Sequence, residues 1–77
     1  MKSIKVHLDT IEKVKGFVNI VSTCDGDFDL SSGRYVVDAK SIMGIFSLDL
    51  SKHLTLNIHS DQEADRVLPQ LKAYETQ

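Results

Sequence analysis

Polar and apolar side chains alternate from the first residues onward. In Lys2-Ser3-Ile4-Lys5-Val6-His7-Leu8, the residues Ile4, Val6 and Leu8 share one face while Ser3, Lys5 and His7 share the other, a pattern that predicts a half-buried strand. The period then lengthens. Ile11, Val14, Val18 and Val21, helped by Phe17, recur at helical spacing with Glu12, Lys13 and Lys15 facing outward. This predicts a helix running to Thr23, capped by Asp9 or Thr10. Asp25-Gly26 is a turn signal. Asp27-Phe28-Asp29-Leu30 alternates again, Ser31-Ser32-Gly33-Arg34 supplies turn residues, and Tyr35 to Ala39 returns as β-favouring side chains. Together these predict a hairpin.

The apolar run from Ser41 to Leu48 predicts a short helix opened by a serine cap, with Gly44 inside it. Leu54, Leu56 and Ile58 alternate with Thr55, Asn57 and His59 as a fourth strand. Ser60 followed by Glu63 is a capping box, and Ala64, Val67, Leu68, Leu71 and Tyr74 line one face of a last helix. Pro69 falls inside that helix, where an unrelieved proline costs roughly 3 kcal/mol. The predicted order is β-α-β-β-α-β-α, with one apolar face per strand and one apolar stripe per helix. Such elements bury their surfaces best as an α+β open-faced sandwich, a four-stranded antiparallel sheet with three helices on one face. One domain over residues 1–77 is expected.

Composition narrows the function classes. At 77 residues, 42% hydrophobic and 26% charged, the chain fits a single globule with little room for an enclosed active site. No apolar run approaches the roughly 20 residues that span a bilayer. The alternating start is unlike a signal peptide, so a cytoplasmic location is expected. Cys24 stands alone and cannot form an internal disulfide. A net charge of −2, with both signs dispersed, offers no basic stripe for nucleic acid.

The string Ala39-Lys40-Ser41-Ile42-Met43-Gly44-Ile45-Phe46-Ser47-Leu48, with the order of elements, resembles the histidine-containing phosphocarrier (HPr) family of the bacterial sugar phosphotransferase system. The similarity extends from Val6 through Asp27-Phe28-Asp29-Leu30 to the last helix. In that family a near-identical string leads into the second helix, and its serine is the substrate of HPr kinase/phosphorylase. The resemblance therefore implies Ser41 as a regulatory phosphorylation site, with Lys40, Ile42, Met43, Phe46 and Leu48 as a partner-binding surface. The partners it implies are the kinase/phosphorylase, a transcriptional regulator or sugar-transport enzymes.

One departure from the family bears on function. Its first strand is followed by a loop of the form Gly-x-His-Ala-Arg-Pro-Ala, whose histidine carries the phosphoryl group. Here the matching place holds Asp9-Thr10-Ile11-Glu12-Lys13-Val14. Phosphoryl relay needs an exposed imidazole at a helix N-terminus, where the dipole favours an anion. This chain has the helix start without the imidazole, and Glu12 adds a repelling charge. The expectation is a non-catalytic, Crh-like regulatory or protein-binding module of the family, a monomer or weak homodimer. A phosphocarrier with a non-standard acceptor is the alternative. Glycines common in the family are replaced at Asp49 and near His53, places that favour backbone shapes glycine takes easily.

Other candidates give less. His7 and His53 could approach each other if their strands pair, but two imidazoles are too few for a metal site, and no cofactor is implied. His59 has no assigned role. Asp25, Asp27 and Asp29 have the spacing of part of a calcium loop, yet Gly26 is misplaced for one and no glutamate follows at the proper distance. They read as solvated outer-face carboxylates. Cys24 reads as a small turn side chain.

Overall fold

A computed structural model describes residues 1–76. Its elements are β1 (Lys2–Val6), α1 (Ile11–Val21), β2 (Phe28–Ser32), β3 (Tyr35–Asp38), α2 (Ile42–Phe46), β4 (Leu54–Ile58), α3 (Asp61–Val67) and β5 (Glu75–Thr76), with a 3-10 segment at Leu68–Leu71 after α3. The strands form one antiparallel sheet in the order β3-β2-β4-β1-β5. The α+β sandwich expected from the pattern is present, with one strand more than the four predicted. β5 pairs Thr76 with Lys5 and Glu75 with Val6, and the His7 amide continues that ladder by donating to the Tyr74 carbonyl at 2.9 Å. Two residues carry no readable alternation, which is why the pattern missed this strand.

The apolar faces meet where the period places them. Val6, Leu30, Leu54, Leu56 and Ile58 of the sheet, with Leu8 just past β1, are fully buried against Val14, Phe17 and Val21 of α1, Ile45 of α2, Ala64 and Val67 of α3, and Leu71. Each fully buried large side chain contributes about 1.5–3 kcal/mol over an exposed one. Ile11 leaves the predicted stripe. It is 57% exposed at the first position of α1, so the buried row begins at Val14.

Helix ends follow local chemistry. Thr10 caps α1, its hydroxyl accepting from the Lys13 amide at 3.1 Å, and Ser60 caps α3 by accepting from Glu63 at 3.3 Å. Asp9, the other predicted cap, instead pairs with Lys13 at 2.9 Å. α1 stops at Val21, two residues early: the Ser22 amide still reaches the Val18 carbonyl, but the Thr23 and Cys24 amides tighten onto the Ile20 and Val21 carbonyls, three residues back. The last helix is also shorter than predicted. α3 ends at Val67, and Pro69 lies near the start of the 3-10 segment. The Leu68 amide still donates to the Ala64 carbonyl, but Pro69 has no N–H to carry the ladder further, and the chain passes there from α-helix to 3-10 geometry.

The β2–β3 connection is Gly33-Arg34 alone, since Ser31 and Ser32 remain in the strand. Gly33 takes φ +60°, as the first position of a type II′ hairpin turn requires. No residue other than glycine has positive φ among those described, so Asp49 and His53 do not use the left-handed backbone suggested for them. The Asp49 carboxylate closes its own turn by accepting from the Ser51 amide and hydroxyl. At the other end of the core, the Tyr74 ring lies over α1. It meets Phe17 edge-on at 6.1 Å, and a Cβ added to Gly16 would collide with its hydroxyl.

Candidate functional site

The turn between β3 and α2 sets the position of Ser41. The Asp38 carboxylate accepts from the Lys40 amide at 2.9 Å, and the Asp38 carbonyl accepts from the Ser41 amide at 3.0 Å. Ser41 thereby takes the extended backbone of a cap, its hydroxyl accepting from the Gly44 amide at 3.1 Å. Gly44 is explained by what surrounds it. A Cβ there would lie 3.3 Å from both the Ser41 Oγ and the Val37 Cβ of β3, closer than side chains ordinarily pack. The glycine lets α2 sit down on the sheet while its first turn holds the serine.

The predicted partner-binding residues divide into three groups. Ile42, Met43 and Phe46 are 38%, 81% and 44% exposed and form an outward apolar surface directly after Ser41. Leu48 does not join them. It is buried with Ile45 in the core, because the turn after Phe46 points it inward. Lys40 is half-buried, and its charge is engaged away from that apolar surface. Its ammonium donates to the Cys24 carbonyl at 2.7 Å and the Gly26 carbonyl at 3.0 Å, and it lies 5.4 Å from the centre of the Phe28 ring. It clips the β3–α2 turn to the α1–β2 turn. Cys24 is a free, buried thiol in that turn.

At the start of α1 stand Thr10, Ile11 and Glu12, with the Asp9–Lys13 ion pair beside them. Histidines lie elsewhere. The His7 and His53 rings do approach, edge to face at 5.0 Å, with the Nε2 of His7 enclosed and without a hydrogen-bond partner among the described residues. Among those residues no three potential ligands gather as a metal site would require.

His59, given no role from sequence, belongs to a polar row across the open face of the sheet. Its Nε2 lies 2.7 Å from Asp29 Oδ2, Asn57 donates to Asp29 Oδ1 at 2.7 Å, and Ser3 donates to Asn57 Oδ1 at 2.7 Å. Partial burial pushes the Asp29 carboxyl up, but the hydrogen bonds from His59 and Asn57 outweigh it and leave the group below its usual value. Asp29 is thus the anchor of a cross-strand network, whereas Asp25 and Asp27 are exposed as expected. The signal in the sequence is the outward alternation of Asp29, Asn57 and His59; the register that places Asp29 opposite Asn57 is not in it.

An open-faced sandwich with a capped serine opening a short apolar helix is the architecture of an HPr-type domain. The chain belongs to that family: the family model described as the PTS HPr component phosphorylation site matches residues 13–76. Among solved structures, HPr-C-His from Thermoanaerobacter tengcongensis is 28% identical, with a TM-score of 0.75 over 92% of this chain and 90% of that one. No curated protein matches significantly. The family match begins inside α1, leaving out β1 and the β1–α1 connection. Among the described residues no helix is long and apolar enough to cross a membrane.

Proposed function

We propose that this member of the HPr family is a non-catalytic regulatory module, which docks on partner proteins through Ile42, Met43 and Phe46 and is controlled by phosphate on Ser41. The observation that carries the reading is the pairing of a presented serine and apolar surface with an α1 start that holds no imidazole. That the family match starts only at residue 13 supports it, since the acceptor loop precedes that point. Its partners would be those of the family's network in the cytoplasm, a kinase/phosphorylase together with a transcriptional regulator or sugar-transport enzymes.

The mechanism is electrostatic. The Ser41 hydroxyl attacks the γ-phosphorus of ATP, ADP leaves, and the hydroxyl proton is lost. The phosphate adds about −1.5 to −2 charge beside Ile42 and Met43. Free amides in the first turn of α2 favour an anion there by about 0.3–1 kcal/mol, so the fold is kept while the docking surface changes character. Lys40, whose ammonium already serves two carbonyls, is not free to neutralise the new charge without releasing them.

Incubation with ATP and an HPr kinase is expected to label Ser41 alone. Labelling that survives Ser41→Ala would remove the proposal. The second reading is a phosphocarrier with an unusual acceptor. The observation in its favour is His59, a 44% exposed imidazole oriented by the Asp29 carboxylate. Acid-labile phosphate after phosphoenolpyruvate and enzyme I, lost in His59→Ala, would establish that reading instead.

A further inference from the structure

Between the tip of the β2–β3 hairpin and the chain leading from α2 into β4 lies a hollow of about 690 Å³, open to solvent. Arg34 and Tyr35 line it from the hairpin, Leu48 and Asp49 from the turn after α2, and Lys52 and His53 from the approach to β4. Its charge runs against that of the chain, which is −2 overall. Of the nine Lys and Arg side chains, Lys2, Lys13 and Arg66 are ion-paired and Lys40 serves two carbonyls. Arg34 and Lys52 have no ion-pair partner among the described residues, yet both line this one hollow. The single acid among its lining residues, Asp49, is turned onto Ser51, accepting from that residue's amide at 3.1 Å and its hydroxyl at 2.6 Å through the same oxygen. Those two bonds, with a smaller contribution from the Lys52 charge, hold the Asp49 carboxyl below its usual value. Two uncommitted cations therefore face one carboxylate that already has partners.

We propose that this hollow binds a small phosphate monoester, its phosphate held by Arg34 and Lys52 and its organic group lying against Tyr35 and Leu48. A guanidinium offers paired N–H donors to two oxygens of a tetrahedral anion, and an ammonium adds a compact charge beside it. His53 supplies a further N–H, since a neutral imidazole keeps one donor in either tautomer. Size decides that the anion carries an organic group. Hollows of roughly 300–1,000 Å³ accommodate small organic ligands, and this one has room well beyond a bare phosphate. Apolar surface is present for that remainder, in the 73% exposed Tyr35 ring and in Leu48. An aromatic ring on the ligand would stack on Tyr35 while its phosphate reaches Arg34, the next residue along the chain. Ser41, Ile42, Met43 and Phe46 do not line the hollow, so the site stands independently of the regulatory reading above.

The test is titration of the whole chain with phenyl phosphate, followed by two-dimensional amide NMR, which also shows that each variant remains folded. Wild type is expected to bind with a Kd of about 1 mM, with the shifts centred on residues 32–35 and 47–53. Inorganic phosphate, which lacks the ring, should bind more weakly by about threefold or more, and phenol, which lacks the charge, more weakly still. Arg34→Gln and Lys52→Gln should each weaken phenyl phosphate by about three- to tenfold, the share of one charge-assisted bond at an exposed site, and the pair together by more. Lys15→Gln removes a cation outside the hollow and should leave the affinity within about twofold of wild type. No binding of phenyl phosphate at about 20 mM, well above the expected Kd, would overturn the proposal. So would equal affinity for all three probes, binding undiminished in the Arg34→Gln/Lys52→Gln double variant, or shifts centred outside the hollow.

Discussion

Lys40 shows most clearly how far a single residue can be read from sequence. Its place beside Ser41 suggested a contact for partners, yet its ammonium is committed to the Cys24 and Gly26 carbonyls, 16 and 14 residues upstream. Nothing local in the sequence announces such a bond; it exists only because the α1–β2 and β3–α2 turns meet. Lys40→Met keeps most of the apolar stem and removes the donor, and is expected to lower stability by about 1–3 kcal/mol in urea denaturation. Unchanged stability would show that the clip does nothing. Ser41 is the contrasting case. Its bond to the Gly44 amide spans three residues, so the cap was legible from spacing alone. The reason for Gly44 was not, because the atom that excludes a Cβ belongs partly to Val37 on another element.

Elements were legible wherever an apolar period ran for several residues or a cap marked an end. α1, β4 and α3 start where Thr10, the Leu54 alternation and Ser60 place them. Ends and short pieces were not, since tertiary contacts and turn geometry decide them. Pro69 is the instructive example: its residue type signalled trouble in a helix, but only the chain's change to 3-10 geometry shows how the trouble is avoided. Pro69→Ala should therefore bring no relief. With the ring in a compatible place, its loss frees the unfolded chain and should lower stability by about 0.4–1 kcal/mol. A rise in melting temperature would mean the proline is strained after all.

At the scale of the whole molecule, the polar row on the open face joins β1, β4 and β2 through Ser3, Asn57 and Asp29. Because the Asp29 carboxyl is held below its usual value, its contribution is complete above the ordinary carboxylate range and disappears as pH falls through the folded value. Stability measured by urea midpoint should decline below about pH 4, and Asp29→Asn should make that decline shallower. It will not be flat, since Asp9, Asp49 and Asp61 are lowered by partners of their own. An unaltered decline in the variant would deny the row its role. The central claim concerns what this HPr-family fold does with phosphate, and one site-mapping experiment addresses it most directly. The protein is exposed together to phosphoenolpyruvate, enzyme I, ATP and an HPr kinase, and every phosphorylated position is located by mass spectrometry under conditions that preserve phosphohistidine. The account predicts acid-stable phosphate on Ser41 and nowhere else; acid-labile phosphate on His7, His53 or His59 would contradict it.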